Sequence, residues 1–148
     1  MTDIDMIDEE PCEAVSRNAY TEPLRVFLVE DSKDVRDFII TDVANIHGLQ
    51  LIGFAETEND AIKQLGEREC DVLILDIELK HGNGINLLRT ITQYGLLPDM
   101  LKIIFSNNIS GMYRRIGTQF GVQFFFDKTT EFMQLRDLLQ KISYGRRW

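Results

Sequence analysis

The run Asp71-Val-Leu-Ile-Leu-Asp76 constrains this chain more than any other stretch of it. It reads as a short strand, and because it is nearly all apolar it must be buried on both faces. A strand of that kind belongs inside a parallel sheet with helices above and below. The rest of the chain supplies the other layers. Arg25-Val-Phe-Leu-Val29, Leu49 to Ala55, Met100 to Phe105 and Val122–Phe126 are further short β-rich runs. Between them, apolar residues recur at helical spacing: Val35, Phe38, Ile39, Val43 and Ile46, then Ala61, Ile62 and Leu65 within Thr57–Glu67, then Ile85, Leu88 and Ile91. A further helix is expected over Gly111–Phe120. After Lys128 a last one carries Phe132, Leu135, Leu138, Leu139 and Ile142 on one face. Alternation of this length predicts an open α/β sheet of five parallel strands with helices on both faces.

Charge divides the chain in two. Of the net −8, residues 1–24 carry −6, with seven acids against Arg17 alone, and residues 25–148 carry only −2. The first 24 residues, with Pro11 and Pro23 and few apolar side chains, read as an acidic and flexible extension in which a short helix near Asp8–Asn18 is not required. Residues 25–148 form the expected domain. The acidic balance argues against binding to nucleic-acid phosphates. No apolar run approaches the roughly 20 residues of a membrane helix, and the start of the chain is no secretory signal. Cys12 and Cys70 are too few for a disulfide framework or a zinc set, and a reducing cytoplasm is the expected setting. His47 and His81 are single and far apart in sequence, and are expected at the surface or a helix end rather than as metal ligands. No glycine-rich phosphate loop of the Walker or dinucleotide type is present.

Ligands of such sheets bind beyond the carboxyl ends of the strands. Strand one is followed there by Glu30 and Asp31, strand three by Asp76, strand four by Ser106, and strand five by Asp127 and Lys128. Three converging carboxylates repel one another unless a cation lies between them, and hard oxygen ligands suit Mg²⁺. A lysine and a hydroxyl at the same edge suit phosphoryl oxygens, and one carboxylate can act as nucleophile. The chemistry indicated is Mg²⁺-dependent phosphoryl transfer.

In these residues the chain resembles the response-regulator receiver domains of two-component signalling. The resemblance rests on Val29-Glu30-Asp31-Ser32, on Leu73-Ile-Leu-Asp76 with Gly84 eight positions on, on Ile104-Phe-Ser106, and on Phe125-Phe-Asp-Lys128. It runs from Arg25 to about Ser143, and it implies a flavodoxin-like sheet of strand order 2-1-3-4-5. It also implies that Asp76 accepts phosphate from a phosphohistidine on a histidine kinase or histidine phosphotransfer protein. Asp31 and Asp76 then ligate Mg²⁺ directly, Glu30 through water, and Glu78 through its backbone carbonyl. Lys128 contacts the phosphoryl group, and Ser106 and Phe125 form the switch pair.

The resemblance implies no external catalysis, only the protein's own phosphorylation and dephosphorylation. Output is expected through protein contact with a downstream target, since no effector domain is read after the receiver. The face formed by helix four, strand five and helix five, with Met112, Tyr113, Arg114, Arg115 and Gln119, is its expected surface and a possible homodimer contact. A phosphorylation-independent interaction scaffold and a true phosphohydrolase are the competing readings. The first needs a missing acid or lysine, and none is missing. The second needs a general acid two residues after Asp76, where Glu78 stands, and a cap domain.

Several positions depart from the family pattern. Thr129 follows Lys128 where proline is usual, and Asn107 follows Ser106 where a small residue is common. Lys80 also stands where proline is frequent.

Overall fold

The computed structural model describes residues 22–96 and 98–145. The extension's first 21 residues, including the Asp8–Asn18 segment and Cys12, lie outside them. Five strands alternate with five helices: β1 Leu24–Val29, α1 Lys33–Ala44, β2 Leu49–Ala55, α2 Glu58–Glu67, β3 Val72–Leu75, α3 Gly84–Gln93, β4 Leu101–Ser106, α4 Gly111–Gln119, β5 Val122–Asp127 and α5 Phe132–Gly145. All neighbouring strands are parallel, and the sheet order is β2-β1-β3-β4-β5, as the alternation and the resemblance predict. β1 begins at Leu24, one residue before the expected boundary, because Leu24 already pairs with Leu49.

The pleat divides the core into two layers. Phe27, Val29, Leu73 and Leu75 face α2 and α3, packing with Ala61, Leu65, Leu87, Leu88 and Ile91. Val26, Leu28, Val72 and Ile74 face the opposite way, onto Ile39 and Val43 of α1 and Leu135, Leu139 and Ile142 of α5. All four residues of β3 are buried, as a central strand covered on both sides requires. Four helices start at one edge of this sheet under polar caps. Ser32, Thr57, Asn83 and Ser110 accept hydrogen bonds from backbone N–H groups of α1, α2, α3 and α4 respectively.

Phe38 departs from its expected place on the inner face of α1. It is 62% exposed, and its ring lies 5.1 Å from that of Phe132 at the start of α5. Val35, Ile39 and Val43 form the inner stripe, and Phe38 is rotated off it toward α5. On the outer edge of the sheet, Gln64 of α2 and Arg68, the residue that ends it, donate to the carbonyls of Phe54 and Ile52, so side chains cover part of the open side of β2.

Lys102, inside what reads as an apolar strand, is only 8% exposed, and its ammonium has no acceptor among the described residues. Burial holds its pKa below the ordinary 10.5. The unfolded chain therefore binds more protons than the native state between the lowered value and 10.5, and stability rises with pH across that window. Lys102→Met is expected to raise the thermal midpoint at pH 7 by about 3–5 °C, on the order of 1 kcal/mol. Its advantage over wild type should shrink as calorimetric scans are repeated toward pH 10.5.

Candidate functional site

The register of β1 on β3 builds the site. Val29 pairs with Leu75, so the next residues, Glu30 and Asp76, emerge side by side at the carboxyl edge. The N–H of Asp76 donates to the Val29 carbonyl at 3.0 Å, and that of Glu30 to Ala55 at 2.9 Å. Lys128 arrives from β5, two strands beyond β3, after its own N–H has continued the ladder onto the Ser106 carbonyl at 3.1 Å. Its ammonium lies 2.7 Å from Asp76 Oδ2 and 2.9 Å from Glu30 Oε1. Glu30 is 1% exposed, and Asp76 is buried as well. Burial pushes the Glu30 pKa up, against the opposing hydrogen bond from Lys128. At Lys128 burial works to lower the pKa, but hydrogen bonds to Asp76 and Glu30 outweigh it and hold the ammonium above its ordinary value.

Asp31 completes the set. One carboxylate oxygen from each of Glu30, Asp31 and Asp76 lies within 4.8 Å of the others. With Lys128 these groups sum to −2, and among the described residues the Asp31 carboxylate has no hydrogen bond or ion pair. An all-oxygen donor set with that residual charge fits a divalent hard cation such as Mg²⁺. Glu78 stands two residues past Asp76. Its N–H points at Asp76 Oδ1 at 3.4 Å, and its exposed carboxylate accepts from Asn108 Nδ2 at 2.9 Å.

Ser106 is buried at the end of β4, where its hydroxyl accepts the Asn108 N–H at 3.3 Å and makes no hydrogen bond to Asp76. Phe125 is half-buried against α4. A Cβ at Gly117 would come within 2.9 Å of its ring, and the Arg114 guanidinium lies over that ring at 5.4 Å. Met112 and Arg115 are exposed, while Tyr113 packs partly into the core. Glu30, Asp31, Asp76 and Lys128 thus come together, Ser106 stands at the neighbouring strand end, and Phe125 with the α4 residues forms a separate face.

Sequence reasoning missed three features here. Arg36, five residues after Asp31, is buried beneath the β1–α1 loop. It stands three residues before Ile39 on the inner stripe of α1, and a charged residue in a core register was the available signal. Two of the departures from the family pattern turn out to be partners: Thr129 Oγ1 donates to Asn107 Oδ1 at 2.9 Å. The third is why Gly84 is glycine. A side chain there would run into the backbone carbonyl of Asp76. Gly84→Ala is expected to destabilise the fold by about 2 kcal/mol, read as a lowered urea midpoint at unchanged slope.

Comparison with known proteins bears on the family and the fold. The family model described as response regulator receiver domain matches residues 26–140. Protein-glutamate methylesterase/protein-glutamine glutaminase 2 of Koribacter versatilis is 33% identical over 78 residues, 53% of this chain and 22% of that protein. The DNA-binding transcriptional activator DevR/DosR of Mycobacterium tuberculosis is 26% identical over 123 residues, 83% of this chain and 56% of that protein. The chain therefore spans about half or less of these relatives. The response regulator domain of Thermotoga maritima CheB superposes with a TM-score of 0.70 at 25% identity, covering 82% of this chain and 94% of that one.

Proposed function

This chain belongs to the response regulator receiver domain family, and on that premise we propose that it is a phosphoacceptor of two-component or phosphorelay signalling. The observation that carries the proposal is the Lys128 ammonium held between Asp76 and Glu30, at 2.7 and 2.9 Å, beside a third carboxylate, Asp31. In the proposed reaction a carboxylate oxygen of Asp76 attacks the phosphorus of a phosphohistidine on a histidine kinase or histidine phosphotransfer protein. The P–N bond breaks as the O–P bond forms, and the imidazole leaves with the electron pair.

Asp31, Asp76 and the Glu78 carbonyl would hold Mg²⁺, with Glu30 acting through water, and the bound ion would offset charge on the phosphoryl oxygens. The chain's own groups do the rest. Lys128 presents a fixed ammonium to a phosphoryl oxygen, and Ser106 turns its hydroxyl toward another. Phe125 responds on the α4 side. Hydrolysis of the acyl phosphate by water resets the site, so the catalysis extends to the protein's own phosphorylation and dephosphorylation.

Output is proposed to pass through the α4–β5–α5 face to a downstream protein target, or to a second copy of the chain. Exposed Met112 and Arg115, and Arg114 lying over Phe125, give that face the apolar and cationic character of a protein contact. A cytoplasmic setting goes with this function. Among the described residues no helix is long and apolar enough to cross a membrane.

Incubation with Mg²⁺ and a small acyl phosphate such as acetyl phosphate is the test. Wild type is expected to acquire one acid-stable, base-labile phosphate, seen by intact mass, and Asp76→Asn none. A wild type that stays unmodified would leave an interaction module independent of phosphorylation. Turnover of external phosphoesters would instead favour a phosphohydrolase.

A further inference from the structure

Arg36 is a buried cation that the proposed chemistry does not use. Its side chain is 9% exposed, on the first turn of α1, and its guanidinium makes three contacts in three directions. Nη1 donates to the backbone carbonyl of Glu30 at 3.1 Å. Nη2 pairs with Glu56 Oε2 at 3.0 Å, one residue past the end of β2. The guanidinium carbon lies 4.7 Å from the centre of the Phe54 ring. A planar fork suits this task, since one group must reach a carbonyl and a carboxylate at once while its face stacks on an aromatic.

The carbonyl that Arg36 holds belongs to the peptide joining Glu30 to Asp31. The rest of that loop is also tied. The Glu30 N–H is bonded to Ala55, and the Ser32 N–H donates to Glu30 Oε2 at 3.1 Å. Both peptides flanking Asp31 are therefore held by a hydrogen bond, while the Asp31 carboxylate itself has no partner among the described residues. Rotation of the Glu30–Asp31 peptide would swing that carboxylate away from Glu30 and Asp76. Of the bonds that oppose the rotation, the one from Arg36 acts directly on the carbonyl of that peptide.

We infer that Arg36, oriented by Glu56 and Phe54, is a positioning residue that fixes the Asp31 backbone and so sets the affinity of the three-carboxylate site for a divalent cation. The inference rests on the phosphoacceptor reading of that site and adds to it a residue outside the ligand set. Groups that orient metal ligands without touching the metal typically change affinity by about 10–100-fold when removed.

Calorimetric titration of Mg²⁺ into the full chain tests this, alongside thermal unfolding of each variant in chelator. Arg36→Met, which keeps an apolar stem, is expected to weaken Mg²⁺ binding about tenfold. Arg36→Lys should recover part of the loss, because one ammonium can serve the carbonyl or Glu56 but not both in the same geometry. Glu56→Gln, at a half-exposed position, should weaken binding about two- to threefold by loosening the guanidinium. At saturating Mg²⁺ the phosphorylation rate of each variant should return to within about threefold of wild type, an affinity effect rather than a loss of chemistry.

Mg²⁺ affinities within about twofold of wild type in Arg36→Met and Glu56→Gln, even with lowered unfolding midpoints, would overturn the inference and reduce Arg36 to packing. Should Arg36→Met fail to fold, Arg36→Lys and Glu56→Gln carry the same comparison. A wild type that binds no Mg²⁺ would overturn the phosphoacceptor reading itself, and the inference with it. Wild-type binding with indifferent variants would sink the inference alone.

Discussion

Much of the arrangement at the carboxyl edge depends on the Lys128 ammonium reaching two buried carboxylates from a strand two places away. Each ion taken out of water costs several kcal/mol, and attraction between them offsets this only with short, well-directed contacts. Lys128 makes two such contacts, to Asp76 and Glu30, at 2.7 and 2.9 Å. The third carboxylate, Asp31, has no such partner. One ammonium shared by two carboxylates cancels a single charge, so with Asp31 the pocket keeps −2, a state that favours capture of a cation. Stability is not what this cluster contributes. The two apolar layers beneath it hold the sheet together and carry the cost of keeping it in place.

Those layers place the charges to within a residue. In β1 and β3, odd and even residues go to opposite faces, so the strands cannot slip by one without turning Phe27, Val29, Leu73 and Leu75 into the wrong layer. The register that buries them also sets Glu30 beside Asp76. Gly84 then lets the start of α3 close against the Asp76 carbonyl, which fixes the backbone of that residue from the other side.

This is why the fold and the grouping of the candidate site residues were legible in the chain. A buried strand ending on a polar residue states both facts in adjacent positions, and Leu75-Asp76 and Val29-Glu30 are such statements. What escaped reading depends on partners distant in sequence. Arg36 falls in a core register of α1, but what its charge meets there is settled only when the Glu30 carbonyl and Glu56 are brought to it. Lys102 hides in an apolar run because one charge among five hydrophobes does not disturb the strand pattern. Phe38 falls near the inner stripe of α1, and only the position of Phe132 draws it toward α5. Thr129 and Asn107 looked like two separate departures from a pattern, 22 residues apart, and their hydrogen bond exists only once the loops after β4 and β5 lie side by side.

That last contact bears on how the site can change state. The loop after β4 is held to its neighbours by the bond from Thr129 to Asn107 on one side and the bond from Asn108 to Glu78 on the other. Both are solvent-accessible side-chain hydrogen bonds between uncharged groups or to an exposed carboxylate, each worth about 1 kcal/mol. The charges around Asp76 are bound by buried ion pairs that cannot be broken so cheaply. In the proposed switch, a rearrangement that brings the Ser106 hydroxyl to a phosphoryl group would therefore cost little in the loop and leave Lys128, Glu30 and Asp76 together. Phe125 lies on the far side of that loop, wedged against Gly117 under Arg114, so displacement of α4 relative to β5 alters its packing directly. The stiff part of the site is where the chemistry is proposed, and the compliant part lies between it and the α4 surface.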